Sequence, residues 1–328
     1  MLLKISVITA VYNGEAYLDQ SVKSILAQTY KDMEYIIVND GSTDRTASIL
    51  DQVADPRVRI VHLKQNQGAA NALNVAVQQS KGDWIAVQDA DDLSLPNRLQ
   101  VQSDYVKARP ELVAAGSLIK SISGHQNLSP HHLRNVDGFY NSGVTRDELR
   151  DIRYERCPLC HGSVLFLKEA FLQAGGYDTS YKVTYDYDLW MRLFEIGEID
   201  KIEAVLYQYR VHSASLSHSN WGVMLQEKLR SSLAAIRRQF AGKTAPRFIV
   251  FGESKSCKNF RKRIVPSIGI ETLQYVTEQF NTRLSEACLL HQKGSIDGII
   301  VLEGPMKKML KASLLQAGLQ INDHFFVL

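Results

Sequence analysis

The chain begins with apolar, β-branched runs that alternate with amphipathic stretches, and this alternation constrains the fold more than any other feature. Four runs predict strands, at residues 4–11, 34–39, 58–63 and 84–88. Strands that are almost continuously apolar belong to parallel sheets whose two faces are both covered by helices. The sequence therefore predicts an α/β fold around a mostly parallel sheet.

Polar side chains cluster where these predicted strands end. Residues 9–13 close the first strand, Asp40 follows the second, and the fourth runs into Asp89, Asp91 and Asp92. Because ligands bind beyond the carboxyl ends of parallel strands, we expect these loops to form one crevice. A divalent cation, Mg²⁺ or Mn²⁺, explains repelling carboxylates there, since hard cations take oxygen ligands and share them with a diphosphate. The alternative is a solvated acidic turn in which Asp92 caps the next helix.

Bulk properties exclude several classes of protein. A chain of 328 residues allows one large domain with a small one, or two medium domains. The net charge of +3, without a basic run interleaved with aromatic residues, argues against a nucleic-acid partner. No run of about 18 apolar residues predicts a membrane span, and the N-terminus reads as a strand rather than a signal peptide. The expected location is the cytoplasm.

The cysteines include a misleading motif. Cys157, Cys160 and His161 form the string CPLCH, which matches the c-type haem attachment sequence. That attachment requires export, for which the sequence shows no signal, and a single CxxC is a weak zinc site. With Cys257 and Cys288, the cysteines do not predict a disulfide framework in a chain of this size. We expect four reduced, structural thiols.

A second βα pattern starts near residue 245. We expect residues 1–240 to form the large domain, including a linking helix at residues 221–240, and residues 245–328 to form a small Rossmann-like α/β domain. The turn after residues 247–251 lacks the full GxGxxG, so dinucleotide binding is not expected. The weak polar pattern of residues 134–156 predicts a long, mobile loop near the crevice.

Several motifs, in order, resemble family 2 glycosyltransferases of the GT-A fold. They span about residues 4–218 and include SVITAVYNGEAYL, YIIVNDGSTDRT, KGDWIAVQDADD, HGSVLF, GGYD, YDYDLWMRL and YQYRVHSASLS. The resemblance implies an inverting transfer of sugar from a nucleotide-diphosphate sugar, with UDP expected, to a hydroxyl acceptor in polysaccharide, glycolipid or other glycan synthesis. It implies Mg²⁺ or Mn²⁺ as cofactor and a glycan or lipid-linked acceptor as partner.

The resemblance also implies roles for the acidic string. Asp91 and Asp92 would contact the metal, while Asp89 and Asp91 would contact the nucleotide sugar. His212, in the string YRVH, matches a histidine that reaches the metal or diphosphate in the family; the alternative is a surface histidine. A cation that bridges the phosphates stabilises the charge that develops on the leaving diphosphate.

The nucleotide is expected against the loops that follow the first strands. Tyr12 could stack on the base, and Asp40 could accept a hydrogen bond from uracil N3–H, as the matching position does in the family. The alternative for Asp40 is an Asx turn that caps the next helix. The remaining expected contacts with the nucleotide sugar are Thr9, Val11, Glu15, Gly68 and Asn71, and the arginine that many members carry near the last two is absent.

An inverting displacement needs a base that takes the proton of the acceptor hydroxyl. In the family, this base belongs to an acidic pair just before DLWxRL. The matching residue here is Asp186, with Tyr185 in place of the usual glutamate. The alternative for Asp186 is a structural acid, and Asp188 is expected to support Trp190 and Arg192 at a helix start.

Other functions fit parts of this pattern. A nucleotidyltransferase would use a similar nucleotide–metal crevice but would not need a base at Asp186. A nucleotide-sugar-binding regulatory or scaffold protein without turnover would suit Tyr185 and the second domain, which is expected to serve oligomerisation or scaffolding. The helix at residues 221–240 is expected to pack the domains together. Its alternative role is peripheral contact with the inner face of the membrane, through Lys228, Arg230, Arg237 and Arg238.

Overall fold

The computed structural model of the chain describes residues 3–124, 128–216 and 220–328. The chain divides into two compact units: unit 1 is Met1–Leu149 with Pro158–Met224, and unit 2 is Arg150–Cys157 with Leu225–Leu328. This division assigns most of the expected linking helix to unit 2, whereas the domain boundary near residue 240–245 stays a prediction. The last two residues of the resemblance, Ser217 and His218, lie outside the described residues.

In its described residues, unit 1 is built on an eight-stranded sheet. Its strands are β1 (Ile5–Val11), β2 (Met33–Asn39), β3 (Val58–His62), β4 (Trp84–Val87), β5 (Leu93–Ser94), β6 (Leu112–Ser123), β7 (Leu165–Leu167) and β8 (Glu198–Val211), in the order β3-β2-β1-β4-β7-β6-β8-β5. The first four strands pair in parallel, which confirms the predicted sheet. Beyond β4 the sheet is mixed, because β7 runs antiparallel to both neighbours and β5 runs antiparallel to β8.

Helices flank this sheet. They are α1 (Leu18–Leu26), α2 (Thr46–Leu50), α3 (Ala69–Gln79), α4 (Arg98–Lys107), α5 (Pro130–Tyr140), α6 (Arg146–Ile152), α7 (Lys168–Gln173) and α8 (Tyr185–Leu193), with a 3₁₀ turn at His161–Ser163. Leu18, Val22 and Ile25 form the apolar face of α1 and are buried in the core beneath the sheet. Burial of such a stripe, rather than intrinsic propensity, is what stabilises a short helix.

The prediction of a long loop at residues 134–156 is wrong, because α5 and α6 occupy much of it. The start of α5 carries ordinary helix signals: Ser129 accepts a hydrogen bond from the N–H of His132, and Pro130 stands at the first helical position. No residue of α5 is buried. A helix without a buried face leaves no apolar periodicity in the sequence, so the pattern resembled a loop.

The long strand β8 delivers the YRVH string to the acidic turn. Leu93 and Ser94 of β5 pair with Gln208 and Tyr207 of β8, just after the acidic turn and just before the string. This pairing places the end of β8 beside residues 89–92, which lie between β4 and β5. Residues distant in sequence therefore meet at one edge of the sheet.

Unit 2 contains a second, fully parallel sheet. Its strands β9 (Arg247–Phe251), β10 (Glu271–Val276), β11 (Gly298–Val301) and β12 (Phe325–Val327) lie in the order β10-β9-β11-β12. The helices are α9 (Trp221–Gln239), most of which belongs to this unit, α10 (Ser254–Arg263), α11 (Phe280–Gln292) and α12 (Lys307–Gln316). The sequence did not predict β10, because only its last residue, Val276, is buried. A crevice of about 330 Å³ follows the carboxyl ends of β9, β10 and β11.

Two cations of α9 are engaged inside unit 2. The Nζ of Lys228 donates to the carbonyl of Glu155 at 2.5 Å, and burial lowers the pKa of Lys228 to about 8. Arg237 donates to the carbonyls of Gly269 and Phe240 at 3.1 and 3.0 Å. These two side chains bind carbonyl oxygens rather than extending as free cations toward an anionic surface.

The described residues settle two simpler points. None of the helices in this part of the chain combines the length and apolarity needed to cross a membrane. All four cysteines are free thiols, of which Cys160, Cys257 and Cys288 are buried and Cys157 is half-buried. The CPLCH string therefore contributes packing and its histidine rather than a disulfide.

Candidate active site

The acidic turn lies directly after β4 and divides its carboxylates between the crevice and the interior. The side chains of Asp89 and Asp91 are 32% and 33% exposed. Asp92 is only 1% exposed. Two of the three predicted acids can therefore meet a ligand directly.

Asp91 is paired with the histidine of the YRVH string. The Nε2 of His212 lies 2.8 Å from Oδ2 of Asp91. The ring of His212 packs against Tyr17, with 5.1 Å between centroids, and the guanidinium of Arg210 lies 4.5 Å from the centre of the same Tyr17 ring. Arg210 also donates from Nε to the carbonyl of Asp91 at 2.6 Å. The structure thus brings together two predicted metal ligands and holds both in place.

Asp92 turns inward. Its Oδ1 accepts the backbone N–H of Arg210 at 2.6 Å, while Oδ2 is buried and has no hydrogen-bond partner among the described residues. Burial, followed by the charges of Asp91 and Asp89, raises the pKa of Asp92 well above its ordinary value. The alternative that Asp92 caps the next helix is wrong, because β5 follows it and Asn97 is the N-cap of α4. Its position ties the acidic turn to β8.

A buried polar network that the sequence reasoning missed supports the turn from below. The Nε2 of Gln88 donates to the carbonyls of Asp89 and Asp92 at 3.0 and 2.9 Å. Arg98, which is fully buried, donates to Ser94 Oγ and to the carbonyl of Val87, both at 2.8 Å. Burial lowers the pKa of Arg98 to about 10. An arginine in a helix start gives no sequence signal of burial, so only the fold reveals this contact.

His161 is a second residue that sequence reasoning missed. It is 9% exposed, with Nδ1 at 3.2 Å from Asp89 Oδ1 and Nε2 at 3.0 Å from the Tyr177 hydroxyl. Burial lowers the pKa of His161, but the charges of Asp89 and Asp186 outweigh burial, and the pKa lies above its ordinary value. The signal was present in the HGSVLF motif, whose first residue is this histidine.

Asp186 lies in the first turn of α8 and is half-buried. Burial raises the pKa of Asp186, and the charge of His161 and the N–H of Tyr187 offset this only in part. A carboxylate with a raised pKa accepts protons better at neutral pH. Tyr185, which replaces the usual glutamate, packs edge-on against Tyr177 with 5.6 Å between centroids.

Of the two contacts predicted for Asp188, the structure confirms the one with Arg192. Its Oδ2 lies 2.6 Å from Nη2 of Arg192, one helical turn away. The Nη1 of Arg192 donates to the carbonyls of Ala174 and Gly176 at 2.5 and 2.7 Å. This pair therefore fixes α8, and with it Asp186, to the GGYD segment.

Family comparison agrees with this geometry. The model described as glycosyl transferase family 2 matches residues 6–175, more than half of the chain. The chain is a family 2 glycosyltransferase. This glycosyltransferase is 31% identical over 220 residues to an uncharacterized glycosyltransferase of Rickettsia prowazekii (strain Madrid E), covering 66% of each chain. It is 29% identical over 216 residues to the chondroitin synthase of Escherichia coli, covering 65% of this chain and 30% of the synthase.

Solved structures show that the glycosyltransferase has a GT-A-like fold. S. aureus TarS 1–349 in complex with UDP-GlcNAc superposes with a TM-score of 0.57 at 20% identity, covering 71% of this chain and 66% of TarS 1–349. The mannosyltransferase PcManGT of Pyrobaculum calidifontis, in complex with GDP-Man and Mn²⁺, superposes with a TM-score of 0.53 at 20% identity, covering 75% and 66%. The chain thus spans about two thirds of these proteins.

In this glycosyltransferase the expected nucleotide residues differ in accessibility. Tyr12 is 48% exposed at the crevice edge. Asp40 is 2% exposed, and its two oxygens accept the N–H groups of Gln67 and Gly68 at 2.8 and 2.9 Å. Asp40 therefore joins the end of β2 to the loop before α3, and the alternative that it caps α2 is wrong. Gly68 has a φ of 92°, a value that favours glycine.

Two other expected contacts, Thr9 and Val11, lie inside the sheet. The hydroxyl of Thr9 is fully buried and donates to the carbonyl of Gln88 at 2.7 Å. Val11 is 3% exposed, and its carbonyl accepts the N–H of Asp40 at 2.8 Å. Neither side chain is available to a nucleotide, because both are almost completely buried.

Glu15 and Asn71 lie at the surface of the same loops. Glu15 accepts the N–H and Nε–H of Arg45 at 3.0 and 3.1 Å, and the backbone contact is the main cause of its lowered pKa. The half-buried Asn71 donates to the side chain of Gln67 at 3.1 Å. Both keep polar atoms near the crevice while bracing its loops.

Proposed function

We propose that this glycosyltransferase moves a sugar from a UDP-sugar to a hydroxyl of a glycan or lipid-linked acceptor, with inversion and with a divalent cation. The observation that carries this proposal is the set of contacts at the acidic turn: Asp91 pairs with His212, Asp89 pairs with His161, and the charge of Asp186 acts on His161. Asp89 links the two sides, since it touches His161 and its charge acts on Asp186. The similarity to chondroitin synthase supports a glycan acceptor and a hexosyl or N-acetylhexosaminyl donor.

The residues present fit a cation whose coordination shell is completed by the phosphates of the substrate. Within the described residues, no three His, Cys, Asp or Glu side chains are arranged to hold a metal alone. Asp91 and His212 supply two ligand atoms 2.8 Å apart, which leaves positions for phosphate oxygens and water, as is common for Mg²⁺. A nitrogen ligand such as imidazole suits Mn²⁺ better than the harder Mg²⁺. The bound cation would neutralise the charge that develops on the leaving diphosphate. Asp91 is therefore proposed as the direct ligand, and Asp92 as the buried anchor behind it.

Asp186 is proposed as the base. Its carboxylate takes the proton of the acceptor hydroxyl while the hydroxyl oxygen bonds to the anomeric carbon and the C–O bond to the diphosphate breaks. A single displacement of this kind inverts the anomeric centre. The raised pKa of Asp186 suits this role, because a base is most effective when its pKa approaches the working pH.

The nucleoside is proposed to lie between Tyr12 and Asp40. Tyr12 offers an exposed ring for stacking. Each Asp40 oxygen uses one lone pair for a loop N–H and retains another that can accept uracil N3–H. TarS was solved with UDP-GlcNAc and PcManGT with GDP-Man, so both nucleotide classes are worth comparing.

The test of the donor is a thermal-shift screen of UDP- and GDP-sugars with and without Mn²⁺. Stabilisation by UDP-sugars only, and only with metal, supports the proposal. Equal shifts with all nucleotides, or no metal effect, would reject the roles of Asp40 and Asp91.

The test of turnover compares Asp186→Asn with Asp32→Asn, an exposed acid of the same unit. Asp186→Asn should lose transfer and donor hydrolysis while it still binds donor, and Asp32→Asn should keep all three. Binding without turnover for any acceptor would indicate a regulatory module. Release of pyrophosphate instead of UDP would indicate nucleotidyl transfer.

A further inference from the structure

His161 lies where the donor side and the acceptor side of the crevice meet. It opens the 3₁₀ turn His161–Ser163 and is 9% exposed. Its Nδ1 lies 3.2 Å from Oδ1 of Asp89, which follows β4. Its ring packs edge-on against Tyr185, the residue before Asp186, with 5.6 Å between centroids. One imidazole thus contacts the carboxylate of Asp89 and packs against the residue that precedes Asp186.

Two carboxylates in one crevice resist ionisation together, because each charge disfavours the other. Burial raises the pKa of Asp186 most, His161 opposes this, and Asp89 adds to it. The other titratable or charged groups that act at this point are Tyr177, whose hydroxyl lies 3.0 Å from His161 Nε2, the half-buried Tyr185, and Arg98. Arg98 lowers the pKa of His161, whereas Asp89 and Asp186 raise it.

We propose that His161 is a positioning residue that stays protonated, directs Nδ1–H to Asp89, and keeps Asp186 ionised and ready for the acceptor proton. This inference rests on the proposed function, since it takes Asp186 as the base. During transfer the acceptor proton moves to Asp186, and His161 keeps both of its own protons, with Nε2–H directed at the Tyr177 hydroxyl. Tyr185 contributes to this arrangement by being neutral where the family carries a carboxylate, so one cation serves two anions.

The first test is the pH profile of kcat/KM in His161→Gln, which removes the charge and retains a donor for Asp89. The acid limb of this profile reports ionisation of the base in the free enzyme. We expect the limb to move up by about one pH unit, the lower end of the effect of an opposite charge at close range. The matched control, Cys160→Ala, alters the buried neighbour without a change in charge and should leave the limb in place. An unmoved limb in His161→Gln would overturn the proposal.

The second test does not depend on turnover. An NMR titration of His161 in the protein without donor or metal should show a pKa above the ordinary value for histidine. That value should fall in Asp89→Asn and, by less, in Asp186→Asn. A His161 that is neutral at pH 6 would reject the proposal even if transfer is confirmed. The expected titration in a protein with no turnover would reject the proposed function while supporting the charge pairing.

Discussion

The imidazole of His212 lies 2.8 Å from the carboxylate of Asp91, although 121 residues separate them in the chain. The contact forms because β5 pairs antiparallel with β8 and places the end of β8 beside the acidic turn. Arg210 strengthens this junction from the backbone N–H to Asp92 and from Nε to the carbonyl of Asp91. The proposed metal site is thus a property of the sheet pairing.

Substitution of His212 should weaken metal use. We expect His212→Gln and Asp91→Asn each to raise the Mn²⁺ concentration for half-maximal activity at least about tenfold. Mutations of residues that merely support metal ligands already lower metal affinity by about this factor. The control is His62→Gln, which removes a partly exposed histidine 3.3 Å from Asp51. A wild-type Mn²⁺ dependence in His212→Gln would exclude the histidine as a ligand.

Gly162 should tolerate no side chain. A Cβ there would lie 1.9 Å from the Tyr207 hydroxyl and 2.7 Å from Asp89 Oδ2. Since displacement by about 1 Å can cost about a hundredfold in rate, we expect Gly162→Ala to lose activity on that scale. Adding Tyr207→Phe should recover part of it, because the closest clashing atom is removed.

The control for this prediction is Gly138→Ala, where nothing lies within 4 Å of the added Cβ. It should keep wild-type activity, since it adds a methyl group to an exposed helix. Near-normal transfer by Gly162→Ala would show that the turn can move away from Tyr207 at little cost.

Arg98 should stabilise the folded protein as well as support the acidic turn. Arg98→Met leaves Ser94 Oγ and the carbonyl of Val87 without their buried donor. We expect a loss of about 3 kcal/mol in the free energy of unfolding, the sum of two or more buried unsatisfied groups. Denaturant unfolding measures this loss. Lys23→Met, at an exposed ion pair with Asp19, should change stability by less than about 1 kcal/mol. Equal effects of the two substitutions would contradict the network.

Asp92 should oppose folding at neutral pH when metal is absent. Its pKa is raised in the folded state by burial and by Asp91 and Asp89, so ionisation above the unfolded-state pKa costs stability. Asp92→Asn keeps an oxygen for the N–H of Arg210 and removes the charge. We therefore expect a higher Tm than wild type at pH 7.5 in EDTA, with a difference that shrinks as the pH falls toward about 4, below which Asp92 is protonated in both the folded and the unfolded state.

Asp44→Asn should change Tm in the opposite direction and serves as the control. Burial acts to raise its pKa, but hydrogen bonds from Thr46 and the N–H of Glu15 outweigh burial and lower it. Asp44→Asn should therefore lower Tm at pH 7.5, again with a difference that shrinks toward acid pH. A lower Tm for Asp92→Asn at pH 7.5 would mean that its charge is compensated in the metal-free protein.

Prediction from sequence succeeded where local pattern and chemistry coincide. The first four strands carry continuous apolar runs, and their parallel pairing follows from the repeated βα pattern. The acids after β4 stood out because charge at the end of a buried strand needs a partner. The segment α5 was missed because an exposed helix has no apolar stripe.

The sequence did not predict which polar side chains are buried. Thr9 was expected to contact a nucleotide, yet it lies in the core. The sequence also did not show that both oxygens of Asp40 accept N–H groups from the loop before α3. Arg98 gave no sign of its buried contacts, and the HGSVLF motif marked His161 without indicating its partners. A polar residue buries only when distant segments supply its hydrogen bonds, and those segments are known only once the chain has folded.

The sequence by itself determined the class of sheet, the position of the acidic turn and, through its ordered motifs, the family. Only the tertiary structure decided how the three acids differ: Asp91 meets His212, Asp89 meets His161, and Asp92 is buried against Arg210. Three neighbouring aspartates are chemically equivalent in the chain. They become distinct because β8, the 3₁₀ turn after β6 and the buried network below β4 present each one with a different partner and a different degree of burial.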